Sequence, residues 1–196
     1  MRYIDLHVHS NCSDGTLTPE ELVLRGIKNE LVAFALTDHD TVDGVARAIH
    51  KAEELDQHIQ VIPGVELSCQ YPAAPDQNVE IHILGYNIDH TNPALVSTLK
   101  QVAEERDNRN KKMYQKLNEF GFDISEEALR VMFPDAVLTR AHVARFLLDK
   151  GYIKSISEAF EKYIGDGCPC CIPREKISPQ KAVELIHHAG GKAILA

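Results

Sequence analysis

From Tyr3 to His9 the apolar Ile4, Leu6 and Val8 alternate with Asp5, His7 and His9, the period-two pattern of a strand with two different faces. Both imidazoles then leave the strand on one face, about 6.6 Å apart at roughly 3.3 Å rise per residue. Thr18-Pro19-Glu20-Glu21 predicts a helix start, with Thr18 as N-cap, Pro19 in the first helical position and Glu21 reaching back to the cap. Apolar runs at Leu31–Thr37, Ile59–Leu67 and Val79–Tyr86 predict three more strands. A helix is expected over Val42–Leu55, and the Pro, Ala, Asp and Gln residues between Leu67 and Val79 read as a polar loop. Strands alternating with helices predict parallel pairing, hence an α/β fold with an open sheet or a barrel.

The pattern changes at Asn92. Four helical segments follow (Pro93–Phe120, Ser125–Phe133, Arg140–Lys150 and Ser155–Tyr163) with no convincing strand. Residues 1–91 are therefore read as the first part of an α/β domain, 92–165 as an all-helical insertion and 166–196 as the return to the domain. Ser178-Pro179 opens a further helix that closes at Gly190-Gly191, and Lys192–Ala196 starts another apolar strand. In a parallel α/β protein such a strand leads into a functional loop, so the chain is expected to be truncated there.

Composition narrows the function classes. A chain of 196 residues, 44% hydrophobic, can bury one ordinary core plus an insertion. It opens with no basic and then apolar leader and holds no run of about 18 apolar residues, which predicts a cytoplasmic protein with no membrane partner. Five cysteines, three of them in Cys168-Pro169-Cys170-Cys171, do not form a disulfide framework. That cluster is either a zinc half-site lacking its second pair or a loop carrying thiols. A net charge of −8 argues against binding long-duplex nucleic acid and leaves room for a local basic pocket.

Candidate chemistry gathers where the predicted strands end. His7 and His9 can converge on one metal ion, and the turn formers Asn11-Cys12-Ser13-Asp14-Gly15 can bring the Asp14 carboxylate back to it. Thr37-Asp38-His39-Asp40 closes the second strand, Gly64-Val65-Glu66-Leu67 the third, and His82 lies in the fourth. Active sites of parallel α/β folds sit at the carboxyl ends of the strands. Each residue has a plainer alternative: His39 in a turn with Asp38 or Asp40 capping the next helix, and His82 as a satisfied core histidine. Glu66 is harder to explain away, because a carboxylate in an apolar strand needs a partner or a cation.

Asp5-Leu6-His7-Val8-His9-Ser10, Asp14-Gly15, Thr37-Asp38-His39-Asp40, Gly64-Val65-Glu66 and His82-Ile83-Leu84-Gly85-Tyr86 together resemble the PHP (polymerase and histidinol phosphatase) family of metal-dependent phosphoesterases. Arg140-Ala141-His142-Val143-Ala144-Arg145 and Phe160-Glu161-Lys162-Tyr163 resemble the branch that dephosphorylates nucleoside 3′,5′-bisphosphates and trims short RNA from its 5′ end. The resemblance implies a distorted (β/α)7 barrel, incomplete in this chain, and two or three divalent ions per full site, manganese by preference with zinc, iron or magnesium as alternatives. It implies that His7 and His9 hold one ion, Glu66 bridges to a second held by His82, and Asp14 and His39 hold the third. Three further ligands that the family pattern expects beyond these are not present in the sequence.

The expected reaction is attack on the 3′-phosphate by a metal-bridging hydroxide, since clustered dications activate water and neutralise phosphoryl oxygens. Arg106 and Arg109, three apart on a helix, can fork onto a phosphate; the alternative is a solvated helix face with charge pairs. Arg140, His142 and Lys162 complete the expected grip on a small phosphorylated substrate, while His187 and His188 are read as structural at a helix C-terminus. The rival readings are a histidinol-phosphate phosphatase, a deaminase-type amidohydrolase and a non-catalytic scaffold. Oligomeric state is not legible.

Overall fold

The computed structural model describes residues 3–55, 59–74, 77–134 and 136–196. In chain order the elements are β1 (Tyr3–Val8), α1 (Pro19–Lys28), β2 (Leu31–Leu36), α2 (Asp43–Glu54), β3 (Gln60–Ala74), β4 (Gln77–Tyr86), α3 (Pro93–Glu119), α4 (Glu126–Met132), α5 (Arg140–Asp149), α6 (Ile156–Ala159), a π-helical turn (Phe160–Ile164), α7 (Pro179–His188) and β5 (Lys192–Leu195). The chain divides into two units, one comprising residues up to Val102 together with Glu175–Ala196, the other Ala103–Arg174.

The first unit is built on a five-stranded sheet of order β1-β2-β3-β4-β5. Thr18 starts α1 as expected: its Oγ1 accepts from the Glu21 amide at 3.1 Å while its own amide donates to Glu21 Oε2 at 2.8 Å, the reciprocal capping box. β1, β2 and β3 pair in parallel. The expectation of parallel pairing fails from there on, because β3–β4 and β4–β5 are antiparallel.

The polar loop expected between Leu67 and Val79 is mostly strand: β3 and β4 form a ladder running from Gly64 opposite Tyr86 to Ala74 opposite Gln77, with Pro75 and Asp76 outside the described residues. A connection that short can join only antiparallel neighbours, since a parallel crossover needs a dozen residues or more.

Two apolar clusters hold this unit. Val23 of α1 and Ala48 and Ala52 of α2 pack on Phe34, Leu36 and Val61 of β2 and β3. Val65, Leu67 and Ile83 of the hairpin pack with Leu95, Leu99, Ala182 and Ile186. Val65, Leu67 and Cys69 are all 0–1% exposed, so strand alternation turns Glu66 to the opposite face. β1 differs from its alternating pattern, with Ile4 and Leu6 at 59% and 40% exposed; it is an edge strand, paired with β2 alone among the described residues.

The second unit has its own core, in which Met113 and Leu117 of α3, Leu129 of α4 and Val143, Phe146 and Leu147 of α5 are buried. The helix expected over Ser155–Tyr163 breaks into α6 and a π turn, closed by the Gly165 amide on the Phe160 carbonyl at 3.0 Å. The Cys168 thiol donates to the Phe160 and Glu161 carbonyls, 3.3 Å each, which gives the carbonyls of this wider turn a side-chain donor.

Candidate metal centre

Three backbone devices bring the candidate ligands together. β1 carries His7 and releases His9 one residue past its end, where the Thr37 amide donates to the Val8 carbonyl at 2.8 Å and extends the β1–β2 pairing. Beyond β2, residues 38–40 lie along β3: the Glu66 amide donates to the Asp38 carbonyl (3.1 Å) and the Asp40 amide to the Glu66 carbonyl (2.9 Å), which bridges His39 to Glu66. Glu66 and His82 do not sit at strand ends, as a parallel sheet would require. They lie inside the β3–β4 hairpin, Glu66 opposite Leu84 and His82 opposite Ser68, a diagonal pair on one face within reach of long side chains.

Glu66 is the hub. Its Oε2 lies 2.9 Å from His7 Nε2, 3.0 Å from His9 Nε2 and 3.4 Å from His39 Nδ1, and its Oε1 lies 2.7 Å from His82 Nδ1. Asp14 closes the other side, with Oδ1 3.2 Å from His9 Nδ1 and Oδ2 3.7 Å from His39 Nε2. Successive rings pack at 5.0, 4.6 and 5.0 Å between centroids, from His7 through His9 and His39 to His82. The arrangement therefore offers three overlapping triads: His7, His9 and Glu66; His9, Asp14 and His39; His39, Glu66 and His82. Within each triad the donor atoms lie within 4.8 Å of one another.

The electrostatics are those of a compact charge centre. Burial would raise the Glu66 carboxyl, but the hydrogen bonds to His82 and His9 and the nearby His39 outweigh it and hold the group far below the usual carboxylate range. Burial works against a charged His9, yet Asp14 and Glu66 prevail and hold its pKa up to about 9. His82 is held up to about 9 by Glu66 and Glu80, whereas burial lowers that of His39.

Four imidazoles and two carboxylates, one of them 2% exposed, suit borderline-hard divalent ions such as manganese, iron or zinc. The protons on His9 and His82 stand in the places where such ions would pair with the same lone pairs. Adding manganese to chelator-treated protein at pH 7.5 is accordingly expected to release about two protons per loaded chain. Calorimetry in buffers of different ionisation enthalpy reads this directly, and heats independent of buffer would contradict it.

Within the helical unit the expected substrate residues take different roles. Arg106 is 6% exposed. Arg109 donates from Nε to Asn110 Oδ1 at 3.0 Å, and its pKa falls to about 10 through burial and then the neighbouring Arg106, Arg174 and Arg140. Four arginines thus gather there, and the solvated helix face that was the alternative for Arg106 and Arg109 is not what the structure shows. Arg140 Nη1 bonds Asp166 Oδ1 at 2.7 Å.

His142, 5% exposed, is held as part of the α5 cap, its Nδ1 accepting from the Thr139 amide at 3.0 Å and its ring edge-on to Phe133. Lys162 makes a helix-surface pair with Glu158 at 2.8 Å. Cys168, Cys170 and Cys171 are free thiols, and no cysteine enters a ligand triad among the described residues.

Sequence reasoning missed Arg174, whose only signal is its place in Pro173-Arg174-Glu175-Lys176. It also missed Glu80, 3.4 Å from His82 Nε2 and itself paired with Lys176; Glu80 shares the face of His82 by the period-two rule.

Known proteins resemble this chain over nearly its whole length. The 5′-3′ exoribonuclease Rnm of Escherichia coli is 36% identical over 192 residues, covering 98% of this chain and 64% of its own length. The 3′,5′-nucleoside bisphosphate phosphatase of Chromobacterium violaceum is 36% identical over 197 residues, covering 100% of this chain and 67% of its own. A solved structure from Bifidobacterium adolescentis, assigned as a metal-dependent phosphoesterase, superposes with a TM-score of 0.86 at 27% identity over 98% of this chain and 65% of that one. The chain thus spans about two thirds of the length of these relatives. The family model described as the PHP domain matches residues 5–167, from within β1 to within the helical unit, and the chain belongs to that family.

Proposed function

We propose that the protein is a divalent-metal-dependent phosphoesterase acting on a small phosphorylated nucleotide, most specifically on the 3′-phosphate of nucleoside 3′,5′-bisphosphates, with short RNA attacked from its 5′ end as a related substrate. One observation carries the reading: a single buried carboxylate, Glu66, within 3.4 Å of four imidazoles supplied by β1, the β2 exit and the hairpin. Such a convergence has little use in stabilising a fold, since ion pairs this buried rarely repay their desolvation. Its chemistry is that of a cation cluster.

His7, His9, Glu66 and His82, with Asp14 and His39, would hold two or three ions, manganese first among the candidates. Bound there, divalent ions acidify water and neutralise phosphoryl oxygens. The chain's own part is to orient. Glu66 holds His7, His9 and His82 at 2.7–3.0 Å with His39 alongside at 3.4 Å, and Asp14 faces the other nitrogens of His9 and His39. Glu80 holds the outer nitrogen of His82, an arrangement that fixes the ring and raises its basicity as a ligand.

Binding of the anionic substrate is assigned to Arg106, Arg109 and Arg140, joined by Arg174. Burial first and then the neighbouring Arg106, Arg174 and Arg140 lower the pKa of Arg109, and an incoming anion would relieve that crowding of like charge. This favours a nucleotide with two phosphates over histidinol phosphate, which carries one phosphate and a cationic amine. Five free thiols accord with work in the cytoplasm, and no helix among the described residues is long and apolar enough to cross a membrane.

The test is phosphate release with manganese from adenosine 3′,5′-bisphosphate beside histidinol phosphate. The bisphosphate should turn over faster, and the reverse order would replace this reading with the rival. Arg140→Ala should raise KM for the bisphosphate about 10- to 100-fold, the worth of one charged hydrogen bond, and leave that for an aryl phosphate nearly unchanged. Equal effects on both would remove Arg140 from binding.

A further inference from the structure

We propose that Asp38 is the positioning residue of the metal centre, the buried carboxylate that folds the β1 exit loop so that Asp14 faces His9 and His39. This rests on the metal-centre reading above. Asp38 is 2% exposed and lies next to His39 in sequence, yet it points away from the ligand triads and into the loop. Its Oδ1 accepts from the Ser10 amide at 2.7 Å and from Ser13 Oγ at 2.6 Å, and its Oδ2 accepts from Ser10 Oγ at 2.6 Å. Both serines are fully buried.

The loop then closes on the residue that Asp38 grips. The Ser10 carbonyl accepts from the Ser13 and Gly15 amides at 3.1 and 2.9 Å, and Ser10 Oγ accepts from the Cys12 amide at 3.1 Å. Asp14, between Ser13 and Gly15, is thereby presented to His9 and His39. Ser13 Oγ also lies 3.4 Å from His9 Nδ1.

Helix capping does not explain the carboxylate. α2 begins after Val42 with no side-chain cap, so neither Asp38 nor Asp40 takes the capping role open to it in sequence. Asp40 instead accepts from the Ser68 amide at 2.9 Å. Short charge-assisted bonds from buried donors are the strong kind, and here all three of them converge on one loop. At its other end Asp38 offers its main-chain carbonyl to the Glu66 amide, so one residue registers the Asp14 loop against both His39 and Glu66.

The experiment is manganese titration of the intact chain, with bound metal counted by mass spectrometry after gel filtration, for wild type, Asp14→Ala, Asp38→Ala and the double variant. Asp38→Ala should weaken the last ion to bind about 10- to 100-fold, the usual effect of removing a residue that orients a ligand. It should leave the tighter sites of His7, Glu66 and His82 filled. Because Asp38 acts through Asp14, the double variant should lose no more than Asp14→Ala alone; a merely structural residue would give additive losses.

Ser13→Ala removes one of the three bonds with little risk to folding and should show the same selective weakening, so the idea stands or falls even where Asp38→Ala does not fold. Wild-type affinities in both Asp38→Ala and Ser13→Ala, or additivity in the double variant, overturn the positioning role alone. A wild-type chain that takes up no manganese overturns the metal centre on which it rests.

Discussion

Glu66→Gln is expected to strip the chain of its tightly bound manganese and to lower phosphate release at least about a thousandfold, the cost of removing several kcal/mol of metal-derived barrier lowering. The amide keeps the shape of the side chain but loses its charge, and turns an N–H₂ toward imidazoles that now meet a carboxylate oxygen at 2.7–3.4 Å. A single change therefore withdraws a ligand from two of the three triads.

The same substitution changes the pH dependence of the chelator-treated protein. In wild type the depressed Glu66 carboxyl contributes stability that is present above its unfolded value near 4.5 and lost as pH falls. The raised His9 and His82 contribute stability that is full below about 6.5 and lost as pH climbs through about 9. His39, lowered by burial, adds stability as pH rises toward 6.5, so the optimum falls close to pH 6.5.

Without Glu66, His82 loses its main partner and His9 keeps only Asp14, so the high-pH decline should flatten. Melting curves in chelator at pH 5.5, 7.5 and 9.5 test this, and a wild-type melting temperature that rises from pH 7.5 to 9.5 would refute it. Manganese should reverse the decline in wild type, because cations and protons compete for the same nitrogens.

What the sequence made legible follows interactions that are local or periodic. The strand pattern at Tyr3–His9 and the box at Thr18–Glu21 are short-range signals, and both elements form where expected, although β1 shows no alternation of burial, with Tyr3 to His7 all exposed. The six candidate ligands were legible because imidazole and carboxylate are costly near an apolar strand unless they have partners. Pairing partners were not.

The β3–β4 ladder runs on through Pro72 to Ala74 with a register shift between them, residues whose propensities speak for a loop, while Cys69, Leu67 and Val65 of the same strand are buried in the core. The π turn at Phe160 depends on a thiol eight residues on. Capping of the next helix was only the alternative that the sequence left open for Asp38 or Asp40, and the actual partners of Asp38, Ser10 and Ser13, lie 28 and 25 residues away. Long-range hydrogen bonds leave no periodicity to read.

Phe34→Ala is expected to cost about 3–5 kcal/mol, a large share of the roughly 5–15 kcal/mol that holds an ordinary domain. Phe34 is 1% exposed in the middle of β2, flanked in register by Asp5 of β1 and Val61 of β3, and it anchors the cluster that α1 and α2 lay on the sheet. The neighbouring helix gives little scope for collapse into the space left behind. The Val23, Ala48 and Ala52 side chains facing the ring are short and already fully or nearly buried, so a cavity remains, and cavities are what make such truncations expensive.

At about 2–4 °C per kcal/mol for a chain of this size, the melting temperature should fall by roughly 10 °C. Because β2 leads directly to His39, manganese offers a second reading of the same variant. Cations held by the folded centre add about 2.7 kcal/mol at a hundredfold excess over Kd. If the ring serves only to hold helices to the sheet, wild type and Phe34→Ala should gain the same increment. A smaller gain in the variant would mean that the apolar contact beneath β2 also sets the geometry of the ligands above it.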